Sequence, residues 1–488
     1  QMGKEREAKF LKVFFPYLIL LAIIFVAVFY PKVLPLSDWL GGLFGGFGDL
    51  DKPTIGLWML GAMLFSIFVG FPISFTLIFL GLTFGYWGFG DLVFYLLTLQ
   101  FYGSMMEQTL AAVPLFVFMG IMMEQANLME RLFNSIQRIL ARLTGSLYLA
   151  VAFVSTIFAA ATGIVGASVT ILGIMAGKPM IRSKYDVQLS SGLIAAGGTL
   201  GILIPPSIML IVMGPVLEVP VTTLFAAAIV PGIMLASLFT GYAMLRCWIN
   251  PELGPPLAME ERATSKAELW GEFFKGLVPP AGLVLAALGS ILFGYATPTE
   301  GAGAGAAGAL LMSAAYGKMN WANLKDACIK TLEISVLILF LVAASNFFGA
   351  VFSRLGTPTM LTEMLLSLEL NRYVILAIVM GLIFLLGWPL EWVPIVLIVV
   401  PFLIPLITQL GFDLTWFGIL VAVNLQTAWL SPPVALSAYF LKGVVPEWQL
   451  SDIYKGMLQF MGLQLFGLIM IITFPQIALW LPGYIYGD

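Results

Sequence analysis

Two successive prolines stand inside each of two stretches apolar enough to cross a membrane: GGTLGILIPPSIML over 197–210 and NLQTAWLSPPVALS over 424–437. Proline lacks an N–H and clashes with the carbonyl four residues back, so a helix cannot run undisturbed through such a pair. In hydrocarbon, each freed backbone group costs several kcal/mol unless protein or water takes it up. A chain that breaks its helices at that depth has to surround the break with polar partners. The bland alternative is a proline kink packed by small residues, and it weakens once the pattern is seen twice.

Apolar windows of spanning length fall near 11–30, 54–70, 73–89, 110–127, 146–177, 188–213, 221–245, 276–296, 300–317, 331–352, 372–410, 412–441 and 457–485. With 60% hydrophobic and 10% charged residues among 488, the chain is a polytopic all-α membrane protein. Gly70-Phe71-Pro72 reads as a turn or a kink. Leu11–Tyr30, preceded by Lys4, Arg6, Lys9 and Lys12, is long for a signal peptide and lacks an A-x-A-like site, so it reads as a retained first span. The polar stretch 246–275 reads as a solvated loop, with room for a short surface helix.

Windows 146–177 and 372–410 are too long for one span and short for two. Each is interrupted in the middle, by ATGIVGAS at 161–168 and by GWPLEW at 387–392. Arg131, Arg138 and Arg142 precede the first window, and Lys178, Arg182 and Lys184 follow it. Cytoplasmic loops are rich in Lys and Arg, so both its ends are cytoplasmic and the segment is a re-entrant hairpin. Glu363, Glu369, Arg372 and Asp413 flank the second window, which reads as a hairpin entering from the opposite face. This topology places Lys32, Lys52, Arg354 and Arg372 outside and the other 19 of 23 basic residues inside. Each hairpin is followed by one proline-broken span, and VPLFVFMGIM (113–122) upstream resembles SVLILFLVAA (335–344). Span, hairpin and broken span thus occur twice in opposite orientations, the signature of an inverted-repeat secondary transporter.

A discontinuous helix exposes carbonyls at one half-helix end, which can hold Na⁺, and N–H groups at the other, which attract a carboxylate. Thr162, Gly163, Gly166 and Ser168 are candidates at the first hairpin tip. Gly197, Gly198 and Thr199 precede the first proline pair. Gly387, Trp388, Pro389 and Glu391 form the second interruption, and Asn424, Thr427 and Ser431 offer oxygen ligands before the second pair. An acid at membrane depth defaults to a functional role; Glu391 near the surface is the alternative. Small-residue packing is the competing account of the glycines, and a structural hydrogen bond that of Asn424.

The sequence has no histidine, few acids that could be buried and no nucleotide motif. Proton relays favour Asp, Glu and His chains, so Na⁺ is the expected coupling ion; a proton-coupled transporter and a passive channel remain as alternatives. The run GAGAGAAGA (301–309) lacks the Lys and strand of a phosphate loop. Cys247 and Cys328 have no CxxC partner, and a net charge of −3 gives no case for nucleic acid. GFGD occurs at 46–49 and 88–91, with Tyr185-Asp186 elsewhere, which resembles intramembrane aspartyl proteases. The order is reversed here, and Asp49, Asp91 and Asp186 fall at span ends or in a charged loop. The reading is therefore not an enzyme.

GGTLGILIPPS (197–207), YATPTEGAG (295–303) and NLQTAWLSPPVAL (424–436) together resemble the large membrane subunit of tripartite ATP-independent periplasmic (TRAP) transporters, over about residues 54–475. The resemblance implies a multi-pass protein of the bacterial inner membrane that imports small organic anions, usually with Na⁺. Its implied partners are a small four-helix membrane subunit, a periplasmic binding protein and the surrounding lipids. It implies an elevator-type movement of hairpins and broken spans against a scaffold. One ion site is implied near Thr162, Gly163, Gly198 and Thr199, and a second near Gly387, Asn424, Thr427 and Ser431. Substrate is implied between the tips, near Gly166, Ser168, Trp388 and Glu391. Departures are Ser431 before Pro432-Pro433 where relatives have Thr, Glu391 where they have Asp, and Trp388 and Trp392 where smaller residues are usual. The QTAWLSPP string is similar to the branch assigned mannitol, chloroaromatic acids and keto acids. The expected division is an extra helix and periplasmic linker (1–53), scaffold and start of the first repeat (54–127), first transport half (128–213), and scaffold with the cytoplasmic loop (214–330). The start of the second repeat (331–371), second transport half (372–443) and a C-terminal helix (444–488) complete it.

Overall fold

The computed structural model describes residues 50–487 except 127, 164, 257–265, 368, 389 and 433–434. The expected span Leu11–Tyr30, most of the linker after it, Asp49, Pro389 and Pro433 lie outside the described residues, and of Thr162 only the backbone is described. Among the described residues the secondary structure is helical throughout.

The chain opens with α1 (Lys52–Val69), α2 (Ile73–Phe89) and α3 (Leu92–Met106). Gly70-Phe71-Pro72 is a turn. Gly70 takes φ 98°, its N–H bonds Ile67 O, that of Phe71 bonds Ser66 O, and Pro72 starts the next helix. This left-handed glycine closure is the ordinary end of a helix that must reverse. The helix α3, apolar but only 15 residues long and carrying Gln100 and Ser104, lies between the apolar windows of the sequence.

The first repeat comprises α4 (Ala112–Gln125), α5 (Leu128–Ile139), hairpin helices α6 (Ser146–Thr162) and α7 (Val165–Arg182), then α8 (Val187–Thr199), a break, α9 (Ile208–Leu217) and α10 (Val221–Ile249). Next come α11 (Lys266–Leu292) and α12 (Pro298–Ala315). The polar stretch after α10 does not carry a separate surface helix over its last ten residues; these are the first turns of α11. The second repeat comprises α13 (Trp321–Arg354), α14 (Thr357–Leu366), hairpin helices α15 (Arg372–Leu386) and α16 (Trp392–Gln409), then α17 (Leu414–Gln426), a break, α18 (Leu436–Val444) and α19 (Leu450–Thr473). A further helix, α20 (Gln476–Tyr486), follows Pro475, so the expected single C-terminal helix is two.

Corresponding helices begin at Ser146 and Arg372, Val187 and Leu414, and Val221 and Leu450, and α4 and α13 end at Gln125 and Arg354. The helix ends therefore pair residues 113–122 with a part of α13 about two turns beyond 335–344, where apolar likeness alone had placed the match. The short helices α5 and α14 also correspond. In α5, Met129, Leu132, Phe133 and Ile136 are buried while Glu130, Arg131 and Arg138 are exposed, the stripe of a helix lying on a surface.

Packing reveals the symmetry. The half-helix α8 lies against its own hairpin, α6 and α7, whereas α9, beyond the break, meets α16 of the other hairpin. Likewise α17 lies against α15, and α18 packs on α7. A span that starts beside one hairpin and ends beside the other joins hairpins entering from opposite faces. Asp186 and Asp413 occupy equivalent ends, each accepting a 2.7 Å bond from the backbone N–H of the third residue on, Leu189 and Trp416. Such caps satisfy one of the orphan donors of a helix start.

Candidate site between the broken helices

Both spans break in the same way. After α8 the backbone tightens into a 3₁₀ turn at Leu200–Ile202, and after α17 into one at Thr427–Trp429. The Leu200 N–H bonds Gly197 O and the Thr427 N–H bonds Asn424 O, one residue nearer than in an α-helix. A threonine hydroxyl bonds each turn, one position apart in the two repeats: Thr199, the last residue of α8, donates Oγ1 to Ala196 O at 2.8 Å, and Thr427, the first of the second 3₁₀ turn, to Asn424 O at 2.6 Å. Past the first break, Ser207 Oγ donates to Ile202 O at 2.6 Å and accepts from Leu210 N, starting α9. The Pro205-Pro206 peptide is cis.

Each hairpin tip abuts its own break. Gly163 has φ 61°, and a Cβ there would stand 3.3 Å from Ile208 Cγ1 at the start of α9. A Cβ on Gly387 would stand 3.1 Å from Ala428 Cβ in the second 3₁₀ turn. Gly163→Ala forces a side chain into the left-handed region, which costs about 1–2 kcal/mol. Its expected effect is a lower thermal inactivation midpoint in detergent, and a wild-type midpoint would remove the strain argument.

Gly197 and Gly198 seat α8 in the groove of its hairpin. A Cβ on Gly197 would meet Ser155 Oγ of α6 at 2.8 Å, and one on Gly198 would collide with Val169 of α7. Packing is thus the first reason for these glycines. Gly166 is covered by the Phe440 ring of α18, 3.0 Å from a notional Cβ, and Gly173 and Gly177 continue the same seam against Leu441, Val444 and Val445. Ser168 is buried.

At the second break Asn424 is 1% exposed. Its Nδ2 donates to Met380 O of α15 at 2.8 Å, and its Oδ1 has no partner among the described residues. Ser431 Oγ donates to Thr427 O at 2.7 Å. At the tip, Trp388 packs edge-on against Phe384 at 5.8 Å, and its indole N–H is buried without a described partner. Glu391 is exposed and starts α16 without bonding the helix through its side chain. The sequence-predicted residues at this break therefore share one turn and one tip, with a buried acceptor and a buried donor left over. Gln426 and Gln464, both 0% exposed, belong to the same cluster and were not anticipated. An amide in the apolar run of α19, where Gln459 is the other, was the signal available for Gln464.

Polar cavities open beside the repeats. One, of about 410 Å³, lies between Glu124, Glu130, Asn323 and Asp326 and the face of α7 at Ile171 and Met175. Another, of about 310 Å³, lies between Gln100, Ser104, Glu107 and Asn346 and the helices α9 and α16 at Val212, Pro215 and Leu397. Asn346 Nδ2 donates to Ser104 Oγ at 2.9 Å there. No group of three or more His, Cys, Asp or Glu placed to hold a metal ion occurs among the described residues. The aspartates of the protease-like motifs are apart in role: Asp186 caps α8, while Asp91 precedes α3.

Paired hairpins and broken helices of opposite insertion are the architecture of an inverted-repeat secondary transporter. Residues 60–477 match the tripartite ATP-independent periplasmic transporter, DctM component, and the chain belongs to that family. It is 28% identical over 424 residues to the sialic acid TRAP transporter large permease protein SiaM of Vibrio cholerae, covering 86% of this chain and 97% of that one. It is 27% identical over 392 residues to the C4-dicarboxylate TRAP transporter large permease protein DctM of Pseudomonas aeruginosa, covering 80% and 90%. The crystal structure of the Alcanivorax borkumensis YdaH transporter, reported with an unusual topology, shares the fold with TM-score 0.58 at 18% identity, covering 80% of this chain and 90% of that one. The relatives are inner-membrane transporters rather than enzymes, and the family's large permeases work with a small permease subunit and a periplasmic binding protein.

Proposed function

We propose that this chain is the large subunit of a Na⁺-coupled importer of small organic anions, carboxylates or keto acids, handed over by a periplasmic binding protein. The observation that carries the reading is the buried, unpartnered Asn424 Oδ1 at a helix break. An uncapped amide oxygen in that setting is costly unless something electropositive meets it, and a cation suits it beside the hydroxyl oxygens of Thr427 and Ser431. The second ion site comprises these groups and Gly387; the first comprises Thr162, Gly163, Gly198 and Thr199.

The passenger anion lies between the tips, near Ser168 and Trp388, with Gly166 letting α18 approach. The spare Trp388 N–H is a donor for its carboxylate. An ionised Glu391 is acceptor-only, so it takes a hydroxyl of the passenger or the cation, not a second carboxylate. The relatives named for sialic acid and C4-dicarboxylates both handle small organic acids by their names, which supports this class. Residues 128–213 and 372–443 form the moving part, against scaffold helices in 54–127 and 214–330. The polar cavities at Glu124 and at Glu107 lie along that boundary and supply water-filled ways in and out for an elevator-like exchange.

Reconstitution in vesicles with both partner proteins and an imposed Na⁺ or proton gradient tests the reading. Uptake should follow Na⁺. Uptake that ignores Na⁺ and follows pH would make it a proton-coupled carrier, and conductance without accumulation would make it a channel.

A further inference from the structure

At the second break a backbone N–H shifts onto a nearer carbonyl and leaves its α-helical acceptor open to another donor. Because the Thr427 N–H bonds Asn424 O, the carbonyl of Val423 loses the partner it would have had in a continuous α-helix. Gln464, from the middle of α19, supplies one: its Nε2 donates to Val423 O at 3.1 Å and also to Gln426 Oε1. The amide orientation follows from chemistry, since Val423 O and Gln426 Oε1 are both acceptors and require the NH₂ side. Three residues earlier on the same helix, Met461 Sδ lies 3.0 Å from Ser431 Oγ, beyond the turn. The helix α19 thus grips the chain on both sides of the 3₁₀ turn that precedes the prolines.

A fully buried amide in an apolar helix is expensive unless it is bonded; here Nε2 of Gln464 bonds the residues either side of Asn424, while its Oε1 and Gln426 Nε2 have no partner among the described residues. We infer that Gln464 is a positioning residue for the second ion site: it holds the carbonyl that the break frees and so fixes the rotation at which Asn424 presents Oδ1. This rests on the proposed Na⁺ coupling.

The test is uptake by the reconstituted three-part system as a function of Na⁺, for wild type, Gln464→Leu, Gln464→Asn and the double variant Gln426→Leu/Gln464→Leu. Gln464→Leu should raise the half-saturating Na⁺ concentration about tenfold, the scale of an outer partner of a metal ligand, with a smaller change in maximal rate. Gln464→Asn, one methylene too short to reach Val423, should shift it in the same direction and keeps the test available should the leucine variant not fold. The double variant removes the amide pair together and should keep the weakened Na⁺ response, since Val423 O stays unheld. Wild-type Na⁺ curves in the single variants would overturn the role of Gln464 while leaving Na⁺ coupling intact. Recovery of Na⁺ affinity in the double variant would overturn it too, because the amide pair and not the carbonyl would then be the cause. A wild type indifferent to Na⁺ overturns the coupling, and the assignment of Gln464 with it.

Discussion

Replacing Gly456 by valine is expected to abolish the assembled fold. The helices α8 and α19 meet backbone to backbone: a Cβ on Gly456 would run into the Gln188 carbonyl, with Ser191 Oγ 2.8 Å away. From the other side, a Cβ on Gly192 would stand 2.5 Å from Gly456 O and from Phe460 Cδ2. Backbone cannot yield as a flexible side chain does, so the helices must part. In a membrane, close approach at small residues is a main source of helix association, and overpacking elsewhere costs about 1–3 kcal/mol or more. Parting them also loosens the edge contacts of Phe460 with Phe239 at 5.7 Å and Tyr242 at 5.6 Å. It pulls on the polar link from Tyr242 OH to Gln459 Oε1 at 2.8 Å. Size-exclusion profiles and melting curves in detergent should show aggregated protein for Gly456→Val and a lowered midpoint for Gly456→Ala. A monodisperse valine variant melting like wild type would show that this seam does not hold the two repeats together.

Asn424→Ala should weaken the Na⁺ response of uptake far more than it weakens the fold. The lost Nδ2 bond is to Met380 O, inside α15, and one such bond is worth about 1 kcal/mol net. The lost Oδ1 is the acceptor that nothing else among the described residues employs. The half-saturating Na⁺ concentration is expected to rise about tenfold or more, equivalent to about 1.4 kcal/mol. Thr199→Ala should act in the same direction but less strongly, because its hydroxyl already caps Ala196 O. Na⁺ titrations of both variants with unchanged midpoints would take these residues out of the ion sites.

How much of this was legible depends on the kind of signal. The hairpins were readable from length and interruption as windows 146–177 and 372–410, the first ending five residues short of Arg182, and the two breaks from their prolines. The helices α5 and α14 were not: α5 is amphipathic and averages to no hydropathy peak, and α14 has only 10 residues. The division between α19 and α20 at Pro475 hid inside one continuous apolar window. Among the candidate residues, the buried position of Asn424 and Thr427 at the second break could be read from the prolines that follow, whereas Gly197, Gly198 and Gly166 pack against Ser155, Val169 and Phe440, contacts that no spacing encodes.

By itself the sequence determined a chain of membrane helices, two places where those helices must stop, and a second half that repeats the first upside down. These follow from local chemistry: apolar length, missing proline donors and the charge of the flanking loops. Only the tertiary structure decided what meets each break. Gln464 on Val423, Gln188 against Gly456 and Phe440 over Gly166 join residues far apart in the chain. A freed carbonyl or an empty Cβ position specifies that something must fill it, and the packing of distant helices selects what does.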